Sequence, residues 1–453
     1  MITSDEETRA RARARDAQVG LPARRAAVEL LVAVLQKKQP LDDILGRSLD
    51  RGSMGDLPQR DRGLVRAIVG ASLRRKGQLD HVLGTFLERG MPDKSGTLCP
   101  ILLSAAAQLI FLKTPPHAAI DLAVTLAQSD PRAKRYDKLV NAVLRRVASD
   151  GEAIAASLDA ARVNTPDWLW SRWAAFWGEA RAHDIAASHL VEPPLDLSVK
   201  QDAVAWAEKL NGIPLSTGTI RVAAHGPVTA LPGYDEGAWW VQDAAAALPA
   251  KLLGEVSGLS VADLCAAPGG KTAQLAAAGA KVTAVDRSKP RLSRLEQNMK
   301  RLGLAPETIV ADATEWQSGP FDAVLLDAPC TATGTIRRNP DLPWNRRPDD
   351  LTKLAALQSR LLDRAAALVK AGGLLVYSTC SLEPEEGERQ IEALLARDSS
   401  LERVPISPDE IGGIDSFVSA RGDLRTMPFH LPNHNERLSG CDGFYAARLR
   451  RRA

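Results

Sequence analysis

A chain of 453 residues with 45% apolar and 25% charged positions can bury two or three separate cores. No stretch approaches the roughly 20 apolar residues of a membrane span, and Met1-Ile-Thr-Ser-Asp-Glu-Glu7 lacks an apolar signal core, so a cytoplasmic protein with no membrane partner is expected. The net charge of +3 is uneven: residues 1–150 hold 25 Lys and Arg against 17 Asp and Glu, the rest 33 against 38. A basic first third suits a polyanionic partner, although solvated helix faces give the same count.

Residues 1–20 carry Arg9-Ala-Arg-Ala-Arg-Ala-Arg15 with no apolar face and read as a mobile basic tail. Over 21–150 apolar residues recur at helical spacing, as in Ala27, Leu30, Leu31, Val34 and Leu35, then Val65, Ile68 and Val69, then Val140, Val143, Leu144 and Val147. Gln39-Pro40, Gly52 and Pro92 mark breaks, and an all-α bundle is predicted. Residues 151–230 are mixed. A helix starting at Thr165 carries the aromatic stripe Asp167-Trp-Leu-Trp-Ser-Arg-Trp-Ala-Ala-Phe-Trp177, which reads as core rather than a base-stacking platform. After Val191-Glu-Pro-Pro194, the run Leu195–Lys200 alternates like a strand, so a small α+β linker domain is expected.

From 231 to 453 strands and helices alternate. Strands are predicted at Ser260–Leu264, Lys281–Asp286, Thr308–Asp312, Phe321–Asp327 and Gly373–Ser378, with helices at 271–279 and 289–302. Short apolar strands alternating with helices imply a Rossmann-like α/β domain, a parallel sheet covered on both faces. Ligands of such sheets sit beyond the carboxyl ends of the strands, and each strand here ends in a polar or thiol residue.

The loop Asp263-Leu-Cys-Ala-Ala-Pro-Gly-Gly-Lys-Thr272 follows the first of these strands. Gly269 and Gly270 let the backbone approach a ligand. A P-loop is excluded because its first glycine would fall on Cys265 and Pro268 lacks an amide; the dinucleotide spacing G-x-G-x-x-G is also missing. S-adenosyl-L-methionine, which needs a Gly turn for its amino-acid end and an acid for its ribose, fits better. Asp286 is placed for the ribose hydroxyls and Asp312 for the adenine amino group. Each acid alone can be a cap or a surface charge, but acids at successive strand ends argue for a site.

The five cysteines, Cys99, Cys265, Cys330, Cys380 and Cys441, are scattered and never form C-x-x-C, against a disulfide framework or a metal site. Two of them end neighbouring strands: Cys330 in Leu325-Leu-Asp-Ala-Pro-Cys330 and Cys380 in Leu375-Val-Tyr-Ser-Thr-Cys380. One attacking thiolate with a second thiol nearby is the need of cytosine carbon-5 methylation in RNA: the first adds to carbon 6, and a base is required for release. Asp327 is placed to bind N3 and the exocyclic amine, or else caps a turn.

These residues resemble a known family. Asp263–Thr272, Asp286, Asp312, Leu325–Gly334 and Tyr377–Glu386 are similar to the RNA cytosine-5 methyltransferases. Asp61-Arg-Gly-Leu-Val-Arg-Ala-Ile-Val-Gly70 and Lys138-Leu-Val-Asn-Ala-Val-Leu-Arg-Arg146 resemble the NusB-like antitermination fold. Arg337–Trp344, Gly422–Arg425 and Asp442–Tyr445 fit the small-subunit ribosomal RNA enzymes that combine the two. The resemblance implies that Cys380 is the nucleophile and that Cys330 assists proton removal or release. It implies that Cys265, Ala266, Ala267, Pro268, Gly269, Gly270 and Lys271, with Asp286, Asp312 and Asp327, line the cofactor site. It further implies an RNA-binding role for the helical domain, 16S ribosomal RNA as substrate and a monomer. Residue types and spacing alone leave open which thiol attacks. Thr331-Ala-Thr-Gly334 departs from a common Ser-Gly-Thr-Gly, and Gly387 follows Glu385-Glu386 where an Asn is common.

Arg337, Arg338, Arg346 and Arg347 flank Trp344. The arginines would neutralise RNA phosphates while Trp344 either stacks on a base or packs internally. The competing functions are a transfer RNA cytosine-5 methyltransferase and a non-catalytic RNA-binding or assembly factor.

Overall fold

The computed structural model describes residues 20–223 and 226–453; apart from Gly20, the expected basic tail lies outside them. The chain divides into two units, one of residues up to Ser171 together with Asn339–Asn345, the other of Arg172–Arg338 and Arg346–Ala453. The stretch read as a separate linker domain is therefore shared between the two. Among the described residues no helix is long and apolar enough to cross a membrane.

The first unit is helical: Leu21–Leu35, Leu41–Arg51, Gln59–Arg74, Lys76–Phe86, Leu98–Ile110, Pro116–Ser129 and Asp137–Ala156. Leu98–Ile110 is apolar almost all round because it lies at the centre, with Ile101, Leu102, Leu103, Ala105 and Ala106 all buried. The outer helices bury one stripe each, as Val140, Val143, Leu144 and Val147 do in Asp137–Ala156. Two cores result, one around the central helix and one between Leu21–Leu35 and Gln59–Arg74. Trp344 packs against the second core; its indole N–H donates to the Leu73 carbonyl at 2.9 Å.

The second unit holds two sheets. In the smaller, strands β1 (Leu195–Val199), β2 (Ile213–Pro214), β3 (Ile220–Val222) and β4 (Trp239–Val241) pair antiparallel in the order β2-β3-β1-β4. Arg221 of β3 donates twice to the Asp196 carboxylate of β1, each at 2.8 Å, and once to the Leu438 carbonyl.

The larger sheet is built from β5 (Ser260–Leu264), β6 (Lys281–Asp286), β7 (Glu307–Val310), β8 (Phe321–Asp327), β9 (Val369–Thr379), β10 (Leu401–Arg403), β11 (Leu424–Arg425) and β12 (Tyr445–Arg451). Its order is β10-β12-β9-β8-β5-β6-β7, with β11 on β12. From β9 to β7 all neighbours are parallel, and β12 joins antiparallel. Both faces are buried with period two: Ala262, Leu264, Val324, Leu326 and Tyr377 serve one core and Val261, Ala323, Leu325 and Val376 the other. The sheet is thus mixed, where the sequence led to an expectation of parallel strands alone. The antiparallel β12, Tyr-Ala-Ala-Arg-Leu-Arg-Arg, hides its pattern because Arg448 is buried and paired with Glu410.

The Arg221–Asp196 pair gives a stability prediction. Both side chains are 1% exposed, so Arg221→Met leaves a buried carboxylate without its cation. The substitution should cost about 3–5 kcal/mol in a urea unfolding series.

Candidate active site

Strands β8 and β9 are adjacent and parallel, with Asp327 level with Ser378. The Ala328 amide donates to the Ser378 carbonyl at 2.9 Å, which continues the pairing past the strand ends. Cys330 follows three residues after Asp327 and Cys380 two residues after Ser378, so both emerge at one edge, their sulfurs 3.4 Å apart. The loops beyond are locked together. The Gly334 amide donates to the Cys380 carbonyl, the Gly443 amide to the Gly334 carbonyl, and the Leu382 amide to Thr333 Oγ1. A Cβ on Gly334 would lie 1.9 Å from the Gly443 carbonyl oxygen, so only glycine fits this crossing.

Cys330 is buried and Cys380 partly exposed. The Cys330 thiol is pushed well above its ordinary pKa, first by its hydrogen bond to Cys380, then by burial, and further by the nearby Cys380 and Glu386 charges. It therefore keeps its proton at neutral pH.

Asp327 accepts from Lys271 Nζ at 2.7 Å and from Ser378 Oγ at 2.9 Å. Lys271 is only 8% exposed, and its ammonium also lies over the Phe444 ring. Lys271, Asp327, Cys330 and Cys380 thus sit at the ends of β5, β8 and β9. Sequence reasoning gave Ser378 and Phe444 no part here; the only signal was their place beside quoted motifs.

The β5 loop forms a compact cradle. Cys265 takes φ +60 and Gly269 φ +105, and Gly269 begins the helix Gly270–Ala277. Its thiol pushed up to about 12 by burial, Cys265 is inert as a nucleophile. Asp286, at the end of β6, accepts from the Ala267 amide at 3.2 Å and the Ser288 amide at 2.8 Å. It shapes the loop around Ala266, Ala267 and Pro268 and retains acceptor capacity for a hydroxyl. Asp312 lies two residues past β7 and accepts from the Thr314 amide and hydroxyl, which hold its carboxyl below the ordinary range. Asp263 was quoted only as the start of the loop. Its side chain is fully buried, accepts from Thr272 Oγ1 at 2.6 Å, and leaves Oδ1 without a partner. Burial pushes its carboxyl up to about 7. A ligand carrying an ammonium and a ribose suits these acceptors, so the residues fit S-adenosyl-L-methionine.

The arginine loop is corrected in part. Arg337 is 2% exposed and donates to the Ser439 and Cys441 carbonyls. Arg338 pairs with the buried Asp442, Arg346 donates to the Thr331 carbonyl, and Arg347 leads into the helix Pro348–Ala367. Arg337 is committed to the fold, Arg338 keeps 39% of its side chain exposed and Arg347 is exposed, while of the two readings of Trp344 the packing one holds. The Trp stripe also packs: Trp173 N–H donates to Glu383 and Trp177 N–H to the Leu382 carbonyl, both just past Cys380.

Residues 250–450 match the family model described as 16S rRNA methyltransferase RsmB/F, and residues 21–149 match the NusB family. A ribosomal RNA small subunit methyltransferase B from Pseudomonas syringae pv. tomato is 36% identical over 94% of this chain and 96% of its own length. The chain belongs to the RsmB/F family of 16S rRNA methyltransferases. A ribosomal RNA small subunit methyltransferase B from Xanthomonas campestris pv. campestris is 36% identical over 96% of this chain and 98% of its own length. The crystal structure of PH0851 shares the fold, with TM-score 0.75 at 24% identity over 95% of this chain and 98% of that one. A methyltransferase homolog from Pyrococcus horikoshii gives 0.50 at 29% identity, over 62% of this chain and 93% of its own. Membership makes the protein an S-adenosyl-L-methionine-dependent RNA methyltransferase.

Ala332, a non-glycine residue, takes φ +60. A left-handed L-residue costs roughly 1–2 kcal/mol and glycine's extra chain entropy offsets about half. Ala332→Gly should therefore leave stability unchanged or raise it by up to about 1 kcal/mol, and Ala332→Val should lower it, both read by urea unfolding.

Proposed function

We propose that this protein methylates carbon 5 of a cytosine in 16S ribosomal RNA, with Cys380 adding to carbon 6 and Cys330 serving release. The observation that carries the reading is the 3.4 Å separation of two sulfurs at the ends of adjacent strands.

Carbon 5 of cytosine is a weak nucleophile. The Cys380 sulfur gives an electron pair to carbon 6, and the displaced π pair becomes available at carbon 5. Cys330 is buried and Cys380 partly exposed, which supports Cys380 as the thiol that meets the base. Asp327 offers an acceptor to the exocyclic amine, and Lys271 beside it balances charge building on N3. When bound, S-adenosyl-L-methionine supplies the electrophilic methyl group that carbon 5 takes. The loop from Cys265 to Lys271, with Asp286, Asp312 and Asp327, would hold it.

The order of events follows from the sulfur pair. Two causes that keep the Cys330 proton in place come from Cys380: a hydrogen bond and a charge. Both weaken once Cys380 is bonded to carbon. Cys330 can then lose its proton to water and take the proton from carbon 5. The freed C–H pair restores the C5–C6 double bond, the S–C6 bond breaks, and Cys380 leaves as thiolate.

The target base has to leave its stack to reach this edge. Phosphate contacts belong to the basic helical unit, where exposed Lys94, Arg132 and Arg135 line a surface hollow of about 540 Å³.

Incubation with labelled methyl donor and unmodified small-subunit RNA tests the reading. The parent should transfer label, Cys380→Ala should transfer none, and Cys330→Ala should accumulate a protein–RNA adduct stable on a denaturing gel. Label entering transfer RNA instead would move the substrate, and no label in either RNA would favour a binding factor. A pH prediction accompanies it. In the adduct burial still raises the Cys330 thiol, so its thiolate fraction grows with pH and the release rate in single turnover should rise by at most about tenfold per unit between roughly pH 7 and 9. Cys330→Ala should abolish that slope.

A further inference from the structure

Glu386 lies in the short turn Pro384–Glu386, six residues past Cys380, and its residue is fully buried. No arginine or lysine forms an ion pair with it among the described residues. Uncharged donors from Thr331, Gln358 and Ser381 converge on its carboxylate instead. The Thr331 amide donates at 2.9 and 3.1 Å to the two oxygens, the Thr331 hydroxyl donates to one, and Gln358 Nε2 donates at 3.0 Å. Gln358 Nε2 also donates to the Pro329 carbonyl at 2.9 Å. The residues on either side of Cys330 are therefore both tied to this carboxylate, Thr331 directly and Pro329 through Gln358.

The main chain of the same residue reaches the other thiol. The Glu386 carbonyl accepts from Tyr377 Oη at 2.7 Å and from Thr379 Oγ1 at 3.3 Å, the latter immediately before Cys380. One residue thus fastens the Pro-Cys loop with its side chain and the Thr-Cys strand with its backbone. Burying a carboxylate without a cation is costly, and burial raises the Glu386 pKa, with the Ser381 and Thr331 hydrogen bonds opposing that rise. A fold needing only a turn here has no reason to bear that cost. The site accepts only acceptors, so a glutamine would turn an amide N–H against donors.

We propose that Glu386 is a positioning residue that sets the separation of the Cys330 and Cys380 sulfurs, so that its loss slows release by Cys330 more than addition by Cys380. The inference rests on the proposed two-thiol reaction for its consequence, but the spacing itself can be read without any RNA.

The test uses the full chain with Glu386→Gln and the milder Thr331→Val. In the first arm diamide oxidises the two thiols to a disulfide; each gives up a hydrogen, and diamide takes both to become its hydrazine. The parent should cross-link readily, as peptide mass analysis reads. Both variants should slow the cross-link by about tenfold or more, since displacements near 1 Å carry effects of that size. Thr331→Ser, which keeps the hydroxyl, should recover most of the rate lost in Thr331→Val. In the second arm kcat should fall by about tenfold or more with the RNA KM within about threefold, while the gel-stable adduct rises. A cross-linking rate equal to the parent's in both variants overturns the inference, as does turnover and adduct falling in parallel. A parent that cross-links but methylates no RNA would sink the functional reading and leave the spacing role standing.

Discussion

The register between β8 and β9 is the constraint on which the site depends. Parallel neighbours end at the same edge, so setting Asp327 level with Ser378 places a carboxylate, a hydroxyl and two thiols within one small volume. Because side chains alternate in a strand, a slip of one residue would turn Tyr377 and Leu326 out of their core, and with them the whole edge. The buried faces of the sheet therefore hold the chemistry in place at no separate cost. What the register leaves loose, the loops beyond it, is fastened by backbone contacts through Gly334 and Gly443.

The second organising feature is the burial of acids around this edge. Asp263, Glu383, Glu386 and Asp442 are all nearly or fully buried, and burial pushes each carboxyl up. Their compensation differs. Glu383 has Arg172 and the Trp173 N–H, and Asp442 has Arg338, so these two stitch distant segments of the unit together. Glu386 has uncharged donors alone. Asp263 accepts from Thr272 Oγ1 and keeps its other oxygen without a hydrogen-bond partner.

Much of this was legible before any coordinates. Strands Ser260–Leu264, Lys281–Asp286 and Phe321–Asp327 match their expected bounds because short apolar runs between polar ends have few alternatives. The thiols could be placed at neighbouring strand ends for the same reason. The hydrogen-bonded partners escaped notice because nothing local marks them. Glu386 reads as one more surface acid in Pro-Glu-Glu-Gly-Glu until Thr331 and Gln358 are brought to it from 55 and 28 residues away. Asp312 carried the opposite ambiguity: its hydrogen bonds to Thr314 are those of a turn cap, and only its place beyond β7 keeps it near the cradle.

The arginines show why charge in a sequence does not map directly onto nucleic-acid contact. Arg221, Arg337, Arg425 and Arg448 are all under one-tenth exposed, and each bonds to carbonyls, carboxylates or both within the second unit. Guanidinium groups suit this work, since five fixed donors can satisfy several chain segments at once. That unit is nearly neutral, with 32 Lys and Arg against 34 Asp and Glu. Among the described residues, exposed cations that form no ion pair lie in both units: Lys94, Arg132 and Arg135 in the helical one, and Arg287, Arg294, Lys353 and Arg360 in the other. Charge counted along the sequence therefore does not place the attraction for a polyanion; the exposure and pairing of each cation do.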